Sequence, residues 1–366
     1  MNVIHYAGIE KNQSSGVSVI VPEIINSQSE LMNICFYNYG RESFDINDKV
    51  IQFNGTQDDD YHNFPEPFNH PDIVVFHSPF GIKKSVSIAA MLIKERIPYI
   101  IVPHGCFSSN ALTQKRIKKW IGMNFVFKKM FTGAAAIQFL SRGEMFASAY
   151  NDKGVVIPNG VRIPNNISQD KREKGDEGIK IVFIGRKDVY HKGLDRLIEA
   201  CSLIKKELNE LNVSIYIYGP YDKDGGNAFK QLIESKNVKG IVNDLPPVFG
   251  KEKENVLISS DIFILTSRFE GLPGVVLEAW SCGCPTLLTD GTNMADEACK
   301  NKCGWKALDA PKDIADKILH ICRDRSEIAE MSEQARTYVR THYNWKYIAK
   351  LYEQHYRKVL ESYVSV

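Results

Sequence analysis

Two glutamates, Glu270 and Glu278, stand eight positions apart in the stretch Ser-Arg-Phe-Glu-Gly-Leu-Pro-Gly-Val-Val-Leu-Glu-Ala-Trp-Ser-Cys-Gly-Cys-Pro, residues 267–285. Between them lie Gly271, Leu272, Pro273, Gly274, Val275, Val276 and Leu277. The Pro-Gly step reads as the start of a helix carrying Glu278, with Glu270 in the loop that follows an apolar strand. A helix start offers unpaired N–H groups and a positive dipole end, both suited to phosphate. Carboxylates accept hydrogen bonds from hydroxyls, which suits sugar rings. Glycine and proline let the backbone approach a ligand without a wall of side chains. Upstream, Gly185-Arg186 ends another apolar run and Lys192-Gly193-Leu194-Asp195 enters a helix. Read alone, these are a solvated strand-end Arg and an exposed helix Lys; combined with the glutamates downstream, they read as fixed cations that lower the cost of negative charge growing on a phosphate leaving group. Arg supplies a bidentate fork and Lys a compact charge. These groups together suit a ligand that joins phosphate to sugar.

The stretch resembles the family 4 retaining glycosyltransferases of GT-B architecture. Their hallmark is E-G-x-P-x-x-x-L-E-A followed by a small residue, Gly, x and Pro. Glu270, Gly271, Pro273, Leu277, Glu278, Ala279, Gly283 and Pro285 all match. The resemblance implies that Arg186 and Lys192 grip the donor diphosphate, Glu278 the nucleotide ribose and Glu270 the donor sugar. The amides of Gly271 to Val276 would face the sugar and diphosphate. It also implies that His104, in Val102-Pro103-His104-Gly105, faces the donor sugar. Gly16 falls where the family has a Gly-Gly step near phosphate, here Ser15-Gly16 after Ser14. Val248 and Phe249, before Gly250, fall where the nucleobase is bordered. Asn159-Gly160 matches an interdomain turn.

The implied activity is hexosyl transfer, with retention, from a nucleotide-diphosphate sugar to a saccharide or lipid-linked saccharide. UDP-sugar ranks first as donor and GDP-sugar second. The implied setting is bacterial capsule, O-antigen or exopolysaccharide assembly. No residue stands out as a covalent nucleophile, and the family is thought to use front-face attack. No cofactor or metal is expected. A nucleotide-sugar epimerase on the same architecture and a non-catalytic binding subunit are the alternatives.

The elements that must position these residues are short apolar runs alternating with amphipathic segments. Strands are expected at Val3–Tyr6, Met32–Phe36, Asp72–Phe76, Tyr99–Val102, Ala135–Phe139 and Val155–Ile157. They resume at Ile179–Gly185, Val213–Gly219, Asp261–Thr266 and Pro285–Thr289. Continuous β-branched and aromatic runs between helices indicate parallel sheets covered on both faces. Residues 164–178 hold one large apolar residue, Ile167, and read as a linker. The expected fold is therefore α/β, with two Rossmann-like doubly wound domains facing across a cleft. Domain boundaries are 1–163 for the N-terminal acceptor-binding domain, 164–178 for the linker, 179–343 for the nucleotide-sugar domain and 344–366 for a final helix. That helix is apolar at 348, 351, 352, 356, 359, 360 and 363. Its return to the N-terminal domain is implied by resemblance. Closure of the two domains would limit hydrolysis of the donor.

The chain has 366 residues, 43% apolar and 25% charged, enough for two cores. A net charge of +2 gives no general attraction to nucleic acid. Neither a signal peptide nor a run of ~20 apolar residues is evident, so a cytoplasmic protein is expected. Residues 111–131 carry six basic and no acidic residues among apolar ones. This segment suits either an anionic membrane face, placing the protein on the inner side of the plasma membrane, or an ordinary core-packed helix. Asp58-Asp59-Asp60 reads as a solvated loop rather than a metal-holding acidic step. His62, His70 and His77 read as incidental, and the eight scattered cysteines as reduced thiols. No phosphate-loop or dinucleotide fingerprint is present.

Overall fold

The computed structural model describes residues 1–11, 16–81, 84–105, 127–146, 148, 150–164, 178–222 and 225–364. Ser14 and Ser15, residues 111–126 of the basic stretch and residues 165–177 of the linker lie outside them. The chain divides into two compact units, Met1–Gly160 with Trp345–Val366, and Val161–Asn344.

The N-terminal unit is built on a parallel sheet of β1 (Asn2–Ala7), β2 (Asn33–Asn38), β3 (Ile51–Asn54), β4 (Ile73–His77), β5 (Tyr99–Val102), β6 (Ala136–Phe139) and β7 (Gly154–Val156). Their spatial order is β3-β2-β1-β4-β5-β6-β7. Alternation along each strand feeds two cores. Ile4, Tyr6, Val74, Phe76, Tyr99 and Ile101 enter one. Val3, Ala7, Ile73, Val75, Ile100 and Val102 enter the other. Burial on both faces is why these strands read as unbroken apolar runs. Helices α1 (Gly16–Gln28), α2 (Ser85–Glu95), α3 (Lys128–Gly133) and α4 (Arg142–Phe146) lie between strands in the chain. The terminal helix, Trp345–Val364, sets Ile348, Tyr352, Tyr356 and Val359 into the second core and packs beside α1. At the described end of the basic stretch, Met130 and Phe131 are buried while Lys128 and Lys129 face solvent.

The C-terminal unit holds β8 (Ile179–Ile184), β9 (Val213–Tyr218), β10 (Val242–Leu245), β11 (Ile262–Leu265), β12 (Thr286–Thr289) and β13 (Gly304–Ala307). All pairings are parallel and the order is β10-β9-β8-β11-β12-β13. Its helices are α5 (Leu194–Leu203), α6 (Lys205–Glu210), α7 (Gly225–Ser235), α8 (Gly250–Ile258), α9 (Gly274–Ser281), α10 (Ala295–Lys300), α11 (Pro311–Arg323) and α12 (Ser326–His342). Strands β3, β10 and β13 were not expected from sequence. Each lies at or near a sheet edge and carries polar residues or a glycine: Ile51-Gln52-Phe53-Asn54, Val242-Asn243-Asp244-Leu245 and Gly304-Trp305-Lys306-Ala307. In each sheet the order reverses once, between β1 and β4 and between β8 and β11. Ligands of doubly wound sheets bind beyond the strand ends at such a reversal.

Candidate active site

The reversal in the C-terminal unit gathers most of the expected residues. Arg186 and Lys192 follow β8, and Glu270 follows β11. Lys192 Nζ lies 2.5 Å from Glu270 Oε1, with the two side chains 16% and 12% exposed. Ser267 Oγ donates to the same oxygen at 2.6 Å. Thr266 Oγ1 lies 3.1 Å from the carbonyls of both Lys192 and Gly193, tying the turn after β8 to the end of β11.

Further along, the two loops are zipped by His191, Arg268 and Phe269, to which sequence reasoning gave no role, and by Asp195 of the Lys-Gly-Leu-Asp step. Arg268 N–H donates to His191 O at 2.9 Å, and a His191 ring nitrogen lies 2.9 Å from Phe269 O. The His191 ring stacks on Phe269 at 4.1 Å and 11°. Arg268 grips Asp195 with both guanidinium nitrogens, at 2.8 and 2.6 Å, while lying 4.2 Å over the Tyr190 ring. A bidentate Arg–carboxylate pair adds geometric definition as well as energy. Burial, then the nearby Lys192 charge, lowers the His191 pKa. The only available signal was His191 and Arg268 flanking recognised motif residues.

Helix α9 begins with Pro273 as its N-cap, and Gly274 is exposed at its first position. The Gly274 and Val275 N–H groups have no partner among the described residues, as a first helical turn requires. Val276 departs from the expectation that its amide faces a ligand: its N–H donates to Pro273 O at 2.9 Å, and its side chain is fully buried. Leu272 packs against the core and Gly271 is half-buried. Glu278, one turn into α9, pairs with Lys253 of α8 at 2.6 Å and stays one-third exposed. Arg186 is exposed at the end of β8, with no ion pair among the described residues. Its neighbour Lys187 is buried against Asp244, and burial lowers its pKa. Val248 is buried, whereas Phe249 is 37% exposed as the N-cap of α8.

In the N-terminal unit, Gly16 opens α1 at the surface, with open space where a side chain would project. His104 follows β5 at φ +49°, and Gly105 at +81°. A non-glycine residue at positive φ is strained, and its surroundings must hold it there. Glu144 does so from α4. It is 3% exposed and accepts from Gly105 N–H at 2.6 Å and Leu140 N–H at 2.9 Å. Desolvation raises its pKa. His77 lies buried between His5 and His104, 2.9 Å from each. Nor is the acidic triplet a solvated loop throughout. Asp59 is 8% exposed, paired with Lys84 at 2.7 Å and bonded by Tyr39 Oη at 2.9 Å.

Burial pushes His5 down to about 3 and His104 to about 4, and holds His77 well below 6.5. His355, on the terminal helix, is lowered to about 4. The unfolded chain binds these protons as pH falls below 6.5, whereas the folded chain does not. Stability present above pH 6.5 is therefore lost on acidification toward pH 4, by up to about 1.4 kcal/mol per pH unit for each ring. Urea midpoints measured from pH 7.5 to 4.5 should fall steeply below 6.5. A flat profile would contradict neutral buried rings.

Similarity to known proteins extends this geometry. The family described as glycosyl transferases group 1 matches residues 165–338. The D-inositol 3-phosphate glycosyltransferase of Paenarthrobacter aurescens is 23% identical over 195 residues, covering 53% of this chain and 47% of that protein. The capsular polysaccharide biosynthesis glycosyltransferase CapH of Staphylococcus aureus is 29% identical over 136 residues, covering 36% of this chain and 35% of CapH. This chain thus matches less than half the length of either relative. Similarity of fold reaches nearly end to end. HepE of Anabaena, solved with UDP and glucose, aligns with a TM-score of 0.70 at 14% identity, covering 98% of this chain and 100% of HepE. Sucrose-phosphate synthase of Thermosynechococcus elongatus gives 0.72 at 15% identity, covering 99% and 100%. Residues 165–338 thus match the glycosyl transferases group 1, and the two parallel sheets share the fold of GT-B glycosyltransferases.

Proposed function

We propose that the protein is a retaining glycosyltransferase that moves a hexosyl group from a UDP-sugar to a saccharide or lipid-linked saccharide acceptor. The Lys192–Glu270 pair, set between the end of β8 and the open first turn of α9, carries this reading. It puts a cation, a hydroxyl-accepting carboxylate and unpaired amides around one sheet reversal. Arg186, Lys192 and the α9 amides would take the diphosphate, Glu270 the sugar and Glu278 the ribose. The acceptor hydroxyl attacks the anomeric carbon on the face from which the diphosphate departs. The bond from anomeric carbon to phosphate oxygen breaks as the new glycosidic bond forms, and a leaving phosphate oxygen takes the hydroxyl proton. The residues supply positioning and charge stabilisation. This scheme uses no resident metal.

Surface polysaccharide assembly is the proposed setting, supported by similarity to CapH and to the amylovoran biosynthesis glycosyltransferase AmsK of Erwinia amylovora. UDP is supported by the nucleotide found with HepE. No helix among the described residues is long and apolar enough to cross a membrane. A lipid-linked acceptor would bring the protein to an anionic surface, where the basic charges of 111–131 suit it.

A thermal-shift panel of UDP, GDP, ADP and dTDP tests the donor. At 100 times its Kd a nucleotide stabilises by about 2.7 kcal/mol, so UDP should raise Tm by about 5–10 °C. No shift with any of the four at millimolar concentration overturns the reading, and a shift confined to GDP replaces the donor. Turnover of the nucleotide sugar to an epimer without acceptor would instead identify an epimerase.

A further inference from the structure

An unbroken row of hydrogen bonds runs through the N-terminal unit from Tyr356 through Gln28, His5 and His77 to His104. Gln28 Nε2 donates to Tyr356 Oη at 3.4 Å. Gln28 Oε1 lies 3.1 Å from His5 Nε2. His5 Nδ1 lies 2.9 Å from His77 Nε2, and His77 Nδ1 lies 2.9 Å from His104 Nε2. Successive imidazoles stack with centroids 5.2 Å apart. Gln28 and His5 are wholly buried and His77 is 1% exposed, so water does not complete these bonds.

A neutral imidazole has one N–H and one lone pair. With its amide nitrogen toward Tyr356 Oη, Gln28 turns its oxygen to His5, and an oxygen that only accepts requires the His5 hydrogen on Nε2. His5 Nδ1 is then an acceptor, which requires a hydrogen on His77 Nε2. The same step repeated puts the hydrogen of His104 on Nε2, pointing inward. The row thus has one sense, set at its buried end. Burial lowers the pKa of all three rings, which keeps them neutral at pH 7. The strained turn at His104, fixed through Glu144 and Gly105, holds the last ring against His77.

We infer that Gln28, His5 and His77 are positioning residues that lock His104 in its Nε2–H tautomer, so that Nδ1 is offered as a hydrogen-bond acceptor to a hydroxyl of the saccharide substrate. His104 Nδ1 has no partner among the described residues, and the residue is partly exposed. A neutral acceptor at this position selects hydroxyls and disfavours phosphate oxygens, which would set lone pair against lone pair. Its role is therefore to orient sugar rather than to neutralise the leaving group. The substrate in this inference rests on the glycosyltransferase reading; the tautomer does not.

The test is a long-range proton–nitrogen correlation spectrum of the full chain labelled with ¹⁵N-histidine at pH 7, combined with transfer kinetics. For His5, His77 and His104 the expected result is a protonated Nε2 and an unprotonated Nδ1. Gln28→Met removes the anchoring acceptor and should give mixed tautomers at His104. It should also lower kcat/KM about tenfold, the worth of one hydrogen bond. A protonated Nδ1 on His104 in the unaltered protein overturns the inference, as does a Gln28→Met protein that loses activity with its tautomers unchanged. The expected tautomers in a protein that transfers no sugar from any nucleotide donor would uphold the lock and overturn the functional reading instead.

Discussion

Lys192→Ala is expected to lower sugar transfer by about 10²–10³-fold, the usual cost of removing one donor to a developing negative charge. The free protein already shows what this ammonium does without a ligand: it pairs with Glu270 at 2.5 Å. A diphosphate must therefore compete with a carboxylate for the same cation. Two results follow that a simple surface lysine would not give. First, Lys192→Ala leaves Glu270 with the Ser267 hydroxyl and little water, costing about 1–2 kcal/mol of stability. That is below the figure for a fully buried pair, because both side chains keep some exposure. Second, Glu270→Gln frees the ammonium from its competitor. UDP alone should bind several-fold tighter, because the ammonium no longer has to leave a carboxylate to meet the diphosphate, while transfer falls. Calorimetric titration of UDP with both variants, alongside initial rates, decides this. Weaker UDP binding by Glu270→Gln would place the diphosphate away from Lys192.

The contrast between what was readable and what was not has a physical basis. Glu270, Glu278 and the Pro273-Gly274 step are close in the chain, and local chemistry decides their placement: a strand end, a turn and a first helical turn. Lys192 joins Glu270 from 78 residues away. Their meeting follows from β8 lying beside β11, the reversal point of any sheet with this order. Strands buried on both faces were legible for the same reason that they are central. The edge strand Val242-Asn243-Asp244-Leu245 was not, because half of its residues are polar and its neighbours supply what the pattern lacks. His5, His77 and His104 lie on three neighbouring strand positions of β1, β4 and the end of β5. Nothing local marks a histidine in an apolar run as a partner of another 72 residues on. Only the sheet order reveals the row, and the Gln28 amide oxygen at its buried end gives it a sense.

The loops that hold Lys192 show a second reason why sequence motifs understate a site. Lys192 and Glu270 are recognisable, but the two loops carrying them are held by Arg268, Asp195, His191 and Thr266. Those contacts fix backbone positions before any ligand arrives. A long, flexible lysine gains most from such support, because its own side-chain freedom is what binding would otherwise have to suppress.

Two glycines at opposite ends of this arrangement should respond oppositely to the same methyl group. Gly193 has φ +62°, and an added Cβ would stand 2.0 Å from Thr266 O, a backbone atom that cannot move aside. The left-handed conformation alone costs about 1–2 kcal/mol for a side chain. With the displaced backbone, Gly193→Ala should lose about 3 kcal/mol or more and shift Lys192 with it. Both the urea midpoint and UDP affinity should fall. Gly274, at the first position of α9, has no atom within 4 Å of the same Cβ and no unusual φ. Gly274→Ala should therefore leave stability unchanged or raise it by up to about 1 kcal/mol, through restriction of the unfolded chain. Yet this open space is where the unpaired amides of α9 would admit phosphate, and a methyl group there should weaken UDP-sugar binding by tenfold or more (about 1.4 kcal/mol). A protein that is as stable as its parent yet binds poorly separates ligand space from structural space. Equal UDP-sugar affinity in Gly274→Ala and its parent would remove the α9 N-terminus from the binding site.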